Sequence, residues 1–134
     1  MSSKSKVYFF FDNVNIAIRN RKKIKAVLET LCKQQKRDLV SLNYIFCSDK
    51  SLLTINRKYL QHNYYTDIVT FELSENKRQI IGEVYISIDR VKDNARNYKV
   101  STQAELLRVI FHGALHLCGY NDKSQKEKLQ MPKK

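Results

Sequence analysis

His112-Gly113-Ala114-Leu115-His116-Leu117-Cys118-Gly119-Tyr120-Asn121-Asp122 is the stretch from which the rest of the chain is read. Histidines four apart lie one turn apart on one face of a helix, where both imidazoles can reach one metal ion. Gly119, three residues past the second histidine, ends the helix, because glycine takes the left-handed conformation without a Cβ penalty. The chain can then turn back, and Asp122, six residues past His116, is the candidate third ligand. Three protein ligands leave one coordination position for water, the arrangement of a hydrolytic zinc site. His112, His116 and Asp122 are therefore expected to hold one zinc ion and to form the catalytic centre.

Leu106, Leu107, Val109, Ile110, Phe111, Leu115 and Leu117 make this helix hydrophobic nearly all round, which predicts that it is mostly buried. Two imidazoles buried there need a reason: a metal supplies one, and hydrogen bonding within the core is the other. Cys118 points away from the histidine face and is assigned to core packing. Thr102 with Glu105 three residues later reads as the capping box that starts the helix. Glycine follows the first histidine, where HExxH metalloproteases carry their glutamate base, and this argues against peptide hydrolysis. A metal at this site would carry more of the work of activating water.

Working toward the N-terminus, Asp89 is expected to cap a helix to about Tyr98. Ile68–Leu73 and Ile80–Ile88 read as two strands of a hairpin joined by polar residues 74–78. Ser48 or Asp49 caps a helix to about Leu60, and Leu39–Cys47 reads as a strand. Asn20–Gln35 spaces Ile24, Val27, Leu28 and Leu31 as an amphipathic helix with Arg21, Lys22, Lys23 and Lys25 outward. Val7–Phe11, five apolar or aromatic residues in a row, predicts a strand buried on both faces. Lys123–Lys134 starts as a possible helix, which Pro132 discourages. The sum is one small α/β (α+β) domain over residues 1–134. It has a mixed sheet of about four strands, helices packed over it and the metal site at the end of the HxxxH helix.

Lys and Arg total 25 against 13 Asp and Glu, a net charge of +12 that draws the protein to polyanions. No stretch approaches the roughly 20 apolar residues of a membrane helix, so nucleic acid is favoured over a lipid surface. Cys32, Cys47 and Cys118, an odd number without a secretion signal, point to free thiols in a reducing cytoplasm. Tyr59, Tyr64 and Tyr65, near Arg57 and Lys58, are candidates for stacking on unpaired bases or for ordinary packing. His62 reads as a surface residue, with lining of a substrate groove as the alternative.

His112-Gly113-x-Leu115-His116-Leu117-x-Gly119-Tyr120 closely resembles the HGxLHLxGYDH signature of the YbeY family of bacterial metal-dependent endoribonucleases. The resemblance extends to Ile81-Gly82-Glu83-Val84-Tyr85-Ile86-Ser87 with Asp89-Arg90-Val91 and Asn94-Ala95. It also covers Asn56-Arg57-x-Tyr59 followed by Thr66-Asp67-Ile68-Val69-Thr70-Phe71. These blocks run in the family's order across most of residues 55–122. The resemblance implies cleavage of single-stranded RNA, maturation of small-subunit ribosomal RNA, and action at the ribosome in the bacterial cytoplasm, without a small-molecule cofactor. Two positions depart from the pattern. The family's third histidine falls on Asp122 and the aspartate before it on Asn121; the carboxylate would lower the charge of the site and leave bound water less acidic. An arginine that the family carries after its tyrosine falls on Leu60, and Arg57, Arg90 or Arg108 is a candidate to replace it. A ribosome-associated RNA-binding protein with a mainly structural zinc is the competing expectation, and a metallopeptidase the weakest.

Overall fold

In a computed structural model, which describes residues 6–119, the elements run β1(Val7–Phe11), α1(Arg21–Gln34), β2(Asp38–Cys47), α2(Asp49–Leu60), β3(Ile68–Glu72), β4(Gln79–Ser87), α3(Ile88–Tyr98) and α4(Thr102–Leu117). The strands form one mixed sheet in the order β1-β2-β4-β3. β1 pairs parallel to β2 and β2 parallel to β4, each connection crossing over through helix, while β3 and β4 form the expected antiparallel hairpin. The expected fold class is the one observed. Residues 120–134, with the expected C-terminal helix, lie outside the described residues.

Alternation along the strands sorts two layers of core. Leu42, Tyr44 and Phe46 of β2 and Ile80, Val84 and Ile86 of β4 face Ile24, Leu28 and Cys32 of α1 and Leu106, Val109, Ile110, Ala114 and Leu117 of α4. On the opposite face Cys47, Leu52 and Val69 are buried with Ile55, Phe71 and Tyr85 against them, so α2 covers the β3–β4 side. Tyr44 is wholly buried, and its hydroxyl donates to the Ile110 carbonyl at 2.8 Å, tying the central strand to α4.

β1 departs from the expectation of burial on both faces. It is an edge strand, and the helices cover one side of it only, so Tyr8 is 44% exposed and Phe10 50%. In α1, Val27 faces outward and Cys32 takes the inner face. Arg21 and Lys25 lean back over the rings of Phe11 and Phe9, at 5.5 and 5.0 Å from the centroids. Two caps fall one or two residues before their expected positions. Ser87 Oγ accepts from Arg90 N at 3.2 Å, so α3 starts before Asp89, and Ser101 Oγ accepts from Ala104 N at 3.0 Å in place of a Thr102 cap. Glu105 consequently does not close a capping box; it is 2% exposed and paired to Arg108. Among the described residues, no helix is long and apolar enough to cross a membrane.

Candidate functional site

α4 lies so close against β3 and β4 that a side chain at either of two glycines would force a neighbour to shift. A Cβ on Gly113 would stand 2.9 Å from Ile68 Cδ1 and 2.9 Å from Val84 Cγ1. One on Gly82 would stand 2.7 Å from Leu117 Cδ1. The residue after His112 is therefore glycine because its side of the helix is the packed one. The histidines take the other side: His112 is half-buried and His116 exposed. This corrects the expectation of two imidazoles sunk in an apolar helix; the open stripe of α4 carries them. Cys118 is in the core, as expected, with its Sγ 3.7 Å from Cys32 Sγ. Gly119 has φ +102° and its N–H donates to the His116 carbonyl at 3.1 Å, so the helix stops where the sequence placed the stop.

Both histidines line a cleft of about 290 Å³ along β3, which among the described residues is the edge strand opposite β1. Thr66, Ile68, Val69 and Thr70 form its floor, and Asn56, Leu60, His62 and Tyr64 supply the wall from the end of α2 and the segment after it. Thr70 alternates onto the α4 side of β3, which brings its Oγ1 to 3.3 Å from His116 Nδ1. Asn56 is buried and donates through Nδ2 to the Tyr64 carbonyl at 2.9 Å, fixing the segment that carries His62. The His62 ring stacks on Tyr64 with centroids 5.0 Å apart, and Nδ1 lies 2.9 Å from the Tyr64 hydroxyl.

None of the three arginines expected to stand in for Leu60 lines this cleft. Arg57 donates to Asn63, Arg90 pairs with Asp49 and covers the Tyr65 ring, and Arg108 pairs with Glu105 and Asp67. Hydrogen bonding to Glu105 holds Arg108 further toward its charged form. Asp89 accepts from Asp49 N, and Glu83 accepts from the Tyr85 hydroxyl at 3.0 Å; neither is among the residues that line the cleft. Leu60 itself lines the cleft.

The third expected ligand, Asp122, lies outside the described residues, as do Tyr120 and Asn121. Among the described residues no three His, Cys, Asp or Glu side chains are grouped to hold a metal ion. The structure thus brings His112 and His116 to one cleft. Sequence reasoning did not single out Thr70, whose signal was only its parity on β3, or the buried Asn56; His62 is exposed, as expected of a surface residue, and it also lines the cleft.

A family model described as Endoribonuclease YbeY matches residues 10–134. The chain is 50% identical over 125 residues to a protein of Cytophaga hutchinsonii named Endoribonuclease YbeY, covering 93% of this chain and 87% of that one. It is 44% identical over 131 residues to the protein of the same name from Amoebophilus asiaticus, covering 98% and 89%. The solution structure of TM1509 from Thermotoga maritima superposes with a TM-score of 0.63 at 27% identity, covering 92% of this chain and 79% of that one.

Proposed function

The chain belongs to the endoribonuclease YbeY family, and from that membership we propose that it is a zinc-dependent endoribonuclease that cuts single-stranded RNA. In this reading His112, His116 and Asp122 hold the ion, and the substrate is small-subunit ribosomal RNA, matured and checked at the ribosome in the cytoplasm.

The observation that carries this reading is the pairing of His116 with Thr70 inside a cleft that also takes His112. A histidine that binds a metal through one ring nitrogen is commonly oriented by a hydrogen bond at the other. With Nδ1–H of His116 donating to the Thr70 hydroxyl, Nε2 is left unprotonated, as a zinc ligand must be. Two neutral imidazoles and a carboxylate are a donor set suited to catalytic zinc. When bound, the ion lowers the pKa of water and polarises a phosphoryl oxygen.

The chain's own residues supply the rest. The excess of Lys and Arg attracts the RNA backbone, and binding should weaken steeply with salt. Asn56 holds the cleft wall in place, and Tyr59 and Tyr64, both exposed, offer faces for unpaired bases. The position after His112 cannot hold a protease-type glutamate, because Gly113 is pressed on Val84 and Ile68.

The test is cleavage of a single-stranded RNA oligonucleotide by zinc-loaded protein freed of contaminating nuclease. Wild type should turn over, and His112→Ala with His116→Ala should reduce cleavage to background while the protein remains folded. Equal cleavage by the double variant rules the reading out. Salt-sensitive RNA binding with no turnover by wild type would favour an RNA-binding protein with a structural zinc.

A further inference from the structure

The chain has three histidines, and all three line the same cleft. Two are assigned to the metal. Resting on the endoribonuclease reading above, we infer that the third, His62, is a catalytic residue whose Nε2–H donates to a non-bridging oxygen of the scissile phosphate.

Its position is built rather than incidental. α2 ends at Leu60, and Gln61 takes the left-handed conformation at φ 57°. That turn lets His62 N–H donate to the Asn56 carbonyl at 3.1 Å, while Asn56 Nδ2 holds the Tyr64 carbonyl. One buried asparagine thus clamps both sides of His62, through its backbone carbonyl and its side-chain amide. Tyr64 then fixes the ring by stacking and by the contact between its hydroxyl and Nδ1. With the phenol donating, Nδ1 accepts and the ring proton sits on Nε2, ready to be donated.

The chemistry of the cleft calls for such a donor. A phosphodiester is an anion, yet no Lys or Arg is among the described residues lining this cleft, in a chain of net charge +12. The side chain at the end of α2 is Leu60, and Arg57, Arg90 and Arg108 are turned to Asn63, Asp49 and Glu105. As the water oxygen bonds to phosphorus it gives up a proton to solvent, the bond to the leaving ribose oxygen breaks with its electron pair, that oxygen takes a proton from solvent, and charge gathers meanwhile on the non-bridging oxygens. His62 keeps its proton through this step and stabilises that charge by hydrogen bonding. Such a contact strengthens in the transition state, so it should act on kcat more than on KM.

The experiment uses the full chain loaded with zinc and a single-stranded RNA oligonucleotide. It compares wild type, His62→Ala, His62→Gln and His62→Ala combined with Leu60→Arg, and also records zinc per chain and thermal midpoint. The expected result for His62→Ala is a fall in kcat of about 100-fold with KM changed by less than about threefold. Zinc content and thermal midpoint should stay at wild-type values. His62→Gln, which keeps an N–H donor, and the added arginine at 60, which lines the same cleft, should each restore about tenfold of the lost kcat. Unchanged kcat in His62→Ala, while His112→Ala abolishes cleavage, overturns the role of His62 and leaves the endoribonuclease reading standing. A loss confined to KM, or one that tracks zinc content or thermal midpoint, also overturns it. Absence of cleavage by wild type overturns the endoribonuclease reading and this inference with it.

Discussion

Gly113 meets Val84 so closely that an added Cβ would stand 2.9 Å from Val84 Cγ1. The helix that carries the histidines is thereby seated on the central part of the sheet, and its opposite stripe is aimed along β3. Gly113→Ala gains about 1 kcal/mol of helix propensity but overpacks a β-branched neighbour at a cost of about 1–3 kcal/mol. A net loss of about 1 kcal/mol is expected in urea unfolding. Gly113→Glu, the protease-like residue, should fail to give folded protein.

Thr70 Oγ1 and His116 Nδ1 make the second link between sheet and site. Thr70→Val keeps shape and removes the hydroxyl, so zinc affinity should fall about 10–100-fold in competition with a chelator, while the thermal midpoint of the metal-free protein hardly moves. Thr70→Ser should retain most of the affinity. Equal affinity in wild type and Thr70→Val would mean that the hydroxyl does not orient the ligand.

Glu105 is 2% exposed at the start of α4, and its carboxylate oxygens accept from Arg108 Nε at 3.0 Å and Nη2 at 2.6 Å. Removing the arginine alone leaves a buried carboxylate short of donors. Arg108→Ala should therefore cost about 2 kcal/mol, the lower part of the range for a broken pair because the guanidinium is half in water. Arg108→Met with Glu105→Leu should cost less than Arg108→Met alone, read from a double-mutant cycle in urea.

Burial pushes the Cys47 thiol up to about 12 and the Tyr44 phenol well above its ordinary value. Both groups stay neutral in the fold at a pH where the unfolded chain ionises, so their contribution is complete at low pH and lost as pH rises. Stability should decline from about pH 9 to about pH 12 as the Cys47 contribution is lost, by about 1.4 kcal/mol per pH unit, with Tyr44 adding to the slope above pH 10. Cys47→Ala should flatten the first part of that decline, measured as urea midpoints across the pH series.

The sequence carried the fold well where a pattern had one physical cause. The 3.6-residue spacing of Ile24 and Leu28, the β3–β4 turn and the Gly119 stop each came from local rules, and each is in the structure. β1 was misjudged because five apolar side chains say nothing of which strand lies at an edge, and an edge leaves Tyr8 and Phe10 in water. The caps moved because Ser87 and Ser101 are as able to cap as Asp89 and Thr102, so local rules alone do not choose between neighbouring candidates. At the site, the histidine pair was legible from its spacing. For His62 the exposed position was legible but its place beside the pair was only an alternative, since it reaches the cleft through the turn at Gln61 and the grip of Asn56, which join residues by space and not by period.

One ion shared by His112, His116 and Asp122 is the claim on which the proposed chemistry turns, and elemental analysis paired with RNA cleavage tests it most directly. Wild type should carry one zinc per chain and cut RNA; Asp122→Ala should lose both; Asp122→His should regain the metal. Full zinc occupancy and undiminished cleavage in Asp122→Ala would contradict it.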